Sequence, residues 1–232
     1  AAVARVVACG FDGIDIHGCH GYLLWELLSP LHNQRTDKYG GSEEARLNVP
    51  LTLLKAIREI GGDDFIVGYR CSSDEGQEGG LTVEDMQRIV PILVDNGADY
   101  ISLSRGWMGQ LGIQYPAKSG TMADVHGKIK EVCKVPVMSP NMQNPRYGEK
   151  AIAEGKFDMA GLSRQLIADP EWPNKVASGN EASIVRCIYC NTCLVTAFSD
   201  FSVRCVVNPN AGWERFDPMY WPPPRLPIPP IG

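Results

Sequence analysis

The sequence predicts an α/β fold on a parallel sheet: a TIM (β/α)8 barrel truncated to its last five β/α units, followed by a C-terminal cysteine-rich segment. Three observations carry this reading. Short apolar or β-branched runs alternate with helical patterns, as in a parallel sheet covered by helices. The phrases NGADYISLS and EGKFDMAGLS repeat one helix-turn-strand grammar. Five such units are visible, whereas a complete eight-unit barrel needs about 250 residues and rarely under 200.

The elements follow in order. AAVARVVACGFDG reads as the end of a helix running into a strand, so the chain is expected to begin in mid-fold. Strands are expected at 13–17 (GIDIH), 65–72 (FIVGYRCS), 100–104 (YISLS), 136–140 (PVMSP) and 159–163 (MAGLS). The best helical patterns run over 43–60 and 83–96; each begins near Ser or Thr with acidic residues close behind, and Gly97 closes the second. The barrel is expected over 1–180 and the cysteine-rich segment over 181–214. Residues 215–232 carry seven prolines, excluding helix and central strand, and read as a linker to a further domain.

Composition narrows the function classes. The 232 residues are 44% hydrophobic and 21% charged, which excludes disorder of the whole chain. With 22 basic and 27 acidic residues the net charge is −5, so neither a nucleic-acid footprint nor a polybasic membrane patch is expected. No apolar run approaches the roughly 18–20 residues of a bilayer span, and the opening residues lack the basic start and apolar core expected of a signal peptide. A soluble cytoplasmic protein with a small-molecule partner is the expectation; self-association into a homo-oligomer stays open.

Barrel chemistry gathers where strands end. Those edges carry His17, His20, Arg70, Arg105, Trp107, Asn141, Ser163 and Arg164. HGCHGYL puts His17, His20 and Tyr22 in one turn, two imidazoles able to donate to an oxygen and a phenol able to deliver a proton. The alternative is a helix cap and a packing residue. Arg70 interrupts an apolar strand and needs either an anion or electron-rich ring or a buried salt bridge to Asp or Glu. Arg164 could meet a phosphate at a helix start or pair with Asp169. His32 and His126 lack such company and read as solvated surface residues.

Cysteine spacing is the strongest local signal. Cys187, Cys190, Cys193 and Cys205 form C-x2-C-x2-C-x11-C, while Cys9, Cys19, Cys71 and Cys133 are scattered. Three thiolates on one tight loop and a fourth from a distance suit a cubane iron–sulfur cluster; a zinc site or no metal at all are the alternatives.

DGIDIHGCHGYLLWELLSPLHNQRTDKYGG resembles the signature of the old yellow enzyme family of NADH:flavin oxidoreductases. GLSRQLIADPEWPNKVASG, followed by RCIYCNTC and RCVVNPNAGWE, resembles its iron–sulfur branch, which includes 2,4-dienoyl-CoA reductase and trimethylamine dehydrogenase. The resemblance spans roughly residues 1–215. It implies FMN at the mouth of a barrel, a 4Fe-4S cluster on the four cysteines, NAD(P)H as electron donor, and a following dinucleotide-binding domain with FAD as a candidate there. His17 and His20 fall on positions that hold the substrate oxygen, Tyr22 on the proton donor, and Arg70 on the arginine facing the flavin. Asn141, Ser163 and Arg164 fall on the cofactor's phosphate side, and Trp107 on a substrate-cage aromatic. The implied activity is hydride transfer between flavin and an activated alkene such as an enone or dienoyl thioester. The alternatives are an amine dehydrogenase, for which the acidic residue expected after Trp107 is absent, and an inactive barrel fragment. Pro140 and Asn141 depart from the family's glycine-rich phosphate turn.

Overall fold

β1 (Gly13–Gly18), β2 (Ile66–Ser72), β3 (Tyr100–Ser104), β4 (Val137–Ser139) and β5 (Met159–Ala160) form one parallel sheet whose strand order is the sequence order. Parallel neighbours need long crossovers, and helices supply them. α1 (Ala2–Ala8) precedes the sheet. α2 (Leu23–Leu28) and α3 (Glu43–Gly61) link β1 to β2, and α4 (Val83–Asp95) links β2 to β3. α5 (Ala123–Lys130) then leads into β4 and α6 (Pro145–Ala153) into β5. All five expected strands are present, in the β/α arrangement of a TIM-barrel-like enzyme. This computed structural model describes residues 1–107, 110, 118–199 and 202–214; the proline-rich 215–232 lies outside them.

Local chemistry sets the helix ends. Ser42 Oγ accepts the Ala45 N–H at 3.1 Å, starting α3. Thr82 and Asp85 bond reciprocally: the Thr82 N–H reaches Asp85 Oδ2 at 2.8 Å and the Asp85 N–H reaches Thr82 Oγ1 at 3.2 Å. Each such cap contributes about 1 kcal/mol. Beyond α4, Gly97 takes φ +109°, a conformation L side chains avoid. Its carbonyl accepts from Arg58 Nε and Nη2 at 3.0 and 2.7 Å, while Arg58 Nη1 donates to the Phe65 carbonyl at 2.6 Å. Arg58 also pairs with Asp99, so one guanidinium ties the end of α3 to the starts of β2 and β3.

The sheet has two unlike faces, because side chains alternate along each strand. Ile16, Val67, Tyr69, Cys71, Ile101, Leu103 and Val137 are buried with helix residues such as Leu47, Leu54, Met86, Ile89, Leu93 and Ile129. On the other face the register sets Asp15 beside Gly68 beside Tyr100, and His17 beside Arg70 beside Ser102. A Cβ on Gly68 would meet the Tyr100 ring at 2.2 Å, so glycine is what lets Tyr100 lie across β2 and donate to Asp15 Oδ2 at 3.1 Å.

The chain divides into two compact units, Ala1–Gly161 and Leu162–Gly232. In the second, α7 (Arg164–Ala168), α8 (Trp172–Ala177), a short 3-10 turn (Glu181–Ser183) and α9 (Thr192–Ala197) are joined by buried polar side chains. Gln165 Nε2 donates to the Val185 carbonyl at 2.8 Å, and its Oε1 accepts the Cys187 N–H at 3.1 Å. Asp169 Oδ2 accepts from Lys175 Nζ and from the Val185 N–H, both at 2.8 Å. Asn208 Nδ2 donates to the Ile167 carbonyl at 2.8 Å. No described helix is long and apolar enough to cross a membrane.

Candidate active site

β1 delivers His17 on its polar face, and the chain then turns sharply. His20 has φ +65° and Gly21 φ +78°, two successive left-handed residues leading to Tyr22 at the start of α2. Such a backbone is strained for histidine by about 1 kcal/mol or more, and persists only where surroundings over-determine it. Here a backbone bridge to Trp107 and a 2.6 Å contact between His20 Nε2 and Ser104 Oγ hold it. The turn gathers the expected residues: the His17 ring lies 5.1 Å from that of His20 and 5.3 Å, edge-on, from that of Tyr22.

Burial, with the Arg70 charge adding, pushes the His20 pKa down to about 3 and lowers that of His17. His20 is therefore neutral at physiological pH, an imidazole that can donate one hydrogen bond without carrying charge. Cys19, between the two histidines, is fully buried, and burial pushes its thiol up to about 12. Its Sγ lies 3.8 Å from His17 Nε2.

Arg70 sits next to His17 in the sheet, half-buried, with Nε shielded and lacking a hydrogen-bond partner among the described residues. No ion pair among those residues includes it, so the expected alternative of a buried salt bridge to Asp or Glu does not hold there. A shielded guanidinium nitrogen without a hydrogen-bond partner is costly. It could hold an anionic or electron-rich group placed against the polar face.

His126 corrects the reading of the sequence. It is wholly buried rather than solvated, with Nε2 3.3 Å from the Ser104 carbonyl and Nδ1 2.7 Å from Ser139 Oγ. Burial lowers its pKa to about 3. A carbonyl only accepts, so Nε2 carries the proton, Nδ1 accepts, and the Ser139 hydroxyl donates. Ser104 thus touches both histidines, His20 through its hydroxyl and His126 through its carbonyl. The signal was present: Ala123, His126 and Ile129 recur every third residue and form the buried face of α5. His32 is exposed, with its ring 5.9 Å from that of Trp107.

The other edge residues are already engaged. Arg105 Nε donates to Asp74 Oδ2 at 2.8 Å, and Trp107 Nε1 donates to Gln77 Oε1 at 3.1 Å. Asn141, at φ +65°, has its amide engaged, donating across to the Lys118 carbonyl at 2.6 Å and accepting from Gln143 in its own loop at 2.7 Å. Glu75 was not singled out by the sequence, where it is one acid among several. It is fully buried, with neither carboxylate oxygen hydrogen-bonded among the described residues.

In the second unit Ser163 is exposed and Arg164 is buried. Arg164 Nη1 donates to Asn191 Oδ1 at 2.7 Å, and the guanidinium lies 5.5 Å from the Tyr189 ring centre. Asp169, its expected alternative partner, pairs with Lys175 instead. Tyr189 and Asn191 both have φ +58°, which coils the segment carrying Cys187, Cys190 and Cys193. Burial raises the Cys193 thiol, with the charges of Cys187 and Cys205 adding to it. Cys190 is lowered by Thr192, whose Oγ1 lies 3.3 Å away, and the Tyr189 N–H donates to Cys187 Sγ at 3.4 Å.

Known proteins resemble this chain in sequence and fold. The NADH oxidase of Thermoanaerobacter brockii is 38% identical over 219 residues, covering 92% of this chain and 34% of the relative. The cinnamate reductase of Clostridium sporogenes is 32% identical over 226 residues, covering 89% of this chain and 34% of that protein. A solved complex of 2-naphthoyl-CoA reductase with 2-naphthoyl-CoA superposes with a TM-score of 0.89 at 34% identity, covering 95% of this chain and 34% of that one. The chain thus spans about a third of the length of these relatives. The NADH:flavin oxidoreductase / NADH oxidase family model matches residues 1–183, and the chain belongs to that family.

Proposed function

We propose that this protein is an FMN-dependent oxidoreductase that transfers hydride between the flavin and an activated alkene, such as an enone or dienoyl thioester. The observation that carries the reading is Arg70: a guanidinium with a shielded, unpartnered Nε, set by strand register beside His17 on the polar face of the sheet. A cation there suits the electron-rich pyrimidine edge of a flavin, so Arg70 is the residue in this unit best fitted to hold FMN. Cys187, Cys190, Cys193 and Cys205 would hold a 4Fe-4S cluster. Four free thiols on one segment, the left-handed turns at Tyr189 and Asn191 that coil it, and the hydrogen bonds at Cys187 and Cys190 fit the donor set of such a cluster. When bound, FMN supplies hydride chemistry and the cluster single-electron transfer, with NAD(P)H as the electron source.

The chain's own residues do the rest. His17 and His20 each direct an N–H at the carbonyl oxygen conjugated to the alkene, stabilising the negative charge that develops there. Ser104, donating to His20 Nε2, would leave the proton on Nδ1 for this task. Tyr22, packed against the His17 ring, gives its phenolic proton to the alkene carbon that hydride does not attack. The similarity to enzymes named as reductases of cinnamate and 2-naphthoyl-CoA supports substrates with a conjugated carbonyl.

The test is Tyr22→Phe in the complete enzyme, with 2-cyclohexenone as probe and flavin reduction by NADH followed separately. Flavin reduction should be intact and enone turnover should fall by about 10²–10⁴-fold, the worth of a general acid. Unchanged turnover would remove Tyr22 from the reaction.

A further inference from the structure

Cys19 has no task in hydride transfer, yet it lies between the two histidines that flank it in sequence. We infer that His17, Cys19 and His20 form a binding site for a thiophilic divalent cation of the zinc class. One ligand atom from each of the three residues lies within 4.8 Å of the other two, and Cys19 Sγ is 3.8 Å from His17 Nε2. Zn–N bonds of about 2.0–2.1 Å and Zn–S bonds of about 2.3 Å, arranged tetrahedrally, put ligand atoms about 3.4–3.6 Å apart. The span of at most 4.8 Å closes to that with rotamer adjustments of about 1 Å.

Three features of the surroundings shape such a site. Cys19 and His20 are buried and held by packing and the left-handed turn, whereas His17 is exposed and leaves a route for the ion. Three protein ligands leave a fourth position for water or a substrate oxygen, as in open rather than structural zinc sites. The fixed charges facing the trio are opposed, Asp15 favouring a cation and Arg70 resisting it. Net Coulomb attraction is therefore weak, and affinity must come from N and S coordination. That selects zinc-like or cadmium-like ions over Mg2+ and Ca2+, which prefer oxygen ligands. On binding, two metal–nitrogen bonds and one metal–sulfur bond form and the thiol proton passes to solvent. Where the two imidazoles hold a substrate oxygen as proposed above, an ion so placed takes both away from it and acts as a reversible inhibitor, a consequence that rests on that reading. The site itself does not depend on the proposed reaction.

The test is equilibrium dialysis of the whole, anaerobically purified protein against micromolar Zn2+, followed by metal analysis. Cys19→Ala and His17→Gln are carried in parallel. Because the cysteines of 187–205 can also take metal, the quantity that matters is the difference between parent and variants. Each variant should hold one Zn2+ per chain fewer than the parent at the same free zinc. Co2+ should give the parent a thiolate-to-cobalt charge-transfer band more intense than that of Cys19→Ala by one thiolate's share, and Mg2+ should not compete. Equal zinc in all three proteins overturns the site. Loss in Cys19→Ala with full retention in His17→Gln overturns it too, by reducing it to a lone thiol. The His17 side chain is exposed, so His17→Gln remains decisive if Cys19→Ala fails to fold.

Discussion

His126 should make the fold acid-labile by an amount that can be worked out. The ring is wholly buried, and its folded pKa of about 3 reflects burial first, opposed by the hydrogen bond to the Ser104 carbonyl and reinforced by the Arg105 charge. In the unfolded chain the same ring titrates near 6.5. Below that value the unfolded state binds a proton that the folded state does not, so stability falls as pH falls, with the loss continuing down to the folded pKa. At pH 5.0 the difference is RT ln(1 + 10^1.5), about 2 kcal/mol, and at pH 7.5 it is about zero. The perturbation is His126→Gln, which keeps a polar side chain but cannot titrate. Urea unfolding of parent and variant at pH 7.5 and 5.0, followed by the fluorescence of the buried Trp25, gives four stabilities. The parent should lose about 2 kcal/mol more than the variant between the two pH values. Other titrating groups, His20 included, occur in both proteins and cancel. An equal loss in both would mean that His126 is hydrated or already charged, and the buried hydrogen-bond chain through Ser104 and Ser139 would be wrong.

Ser104→Ala deletes the hydroxyl 2.6 Å from His20 Nε2 and leaves a buried ring nitrogen unsatisfied. It should cost about 1–3 kcal/mol in urea unfolding and shift the His20 tautomer seen by nitrogen-15 NMR. A loss under about 0.5 kcal/mol with an unchanged tautomer would exclude the positioning role. Arg70→Leu should lower the FMN content of purified protein while iron and sulfide stay constant, and should raise the melting temperature of the flavin-free form by removing a buried donor that has no hydrogen-bond partner among the described residues. FMN retained at the parental level would remove Arg70 from the cofactor site.

Alternation of apolar runs and helical patterns located all five strands, since a parallel strand buried by helices must be short and apolar whatever lies around it. The caps at Ser42 and Thr82 and the glycine after α4 were legible for the same reason, being local chemistry within a few residues. The gathering of His17, His20 and Tyr22 was also readable, because one turn holds them all. Pairings distant in sequence were not readable in this way. Ser104 lies 84 residues from His20 and 22 from His126, and only strand order brings them together. The placement of Arg164 against Asn191 rather than Asp169 likewise arose from the coil of the cysteine segment.

The sequence by itself therefore determined the element types, the strand order's β/α rhythm, the family and the residues of the β1 turn. Each is written in residue type and spacing within a few tens of residues. The tertiary structure alone decided which polar groups are dry, which are partnered and which donor is left without a partner among the described residues. Burial of His126 and Glu75 and the shielded Nε of Arg70 depend on what the rest of the chain places around them. Desolvation is a property of that enclosure, not of the residue.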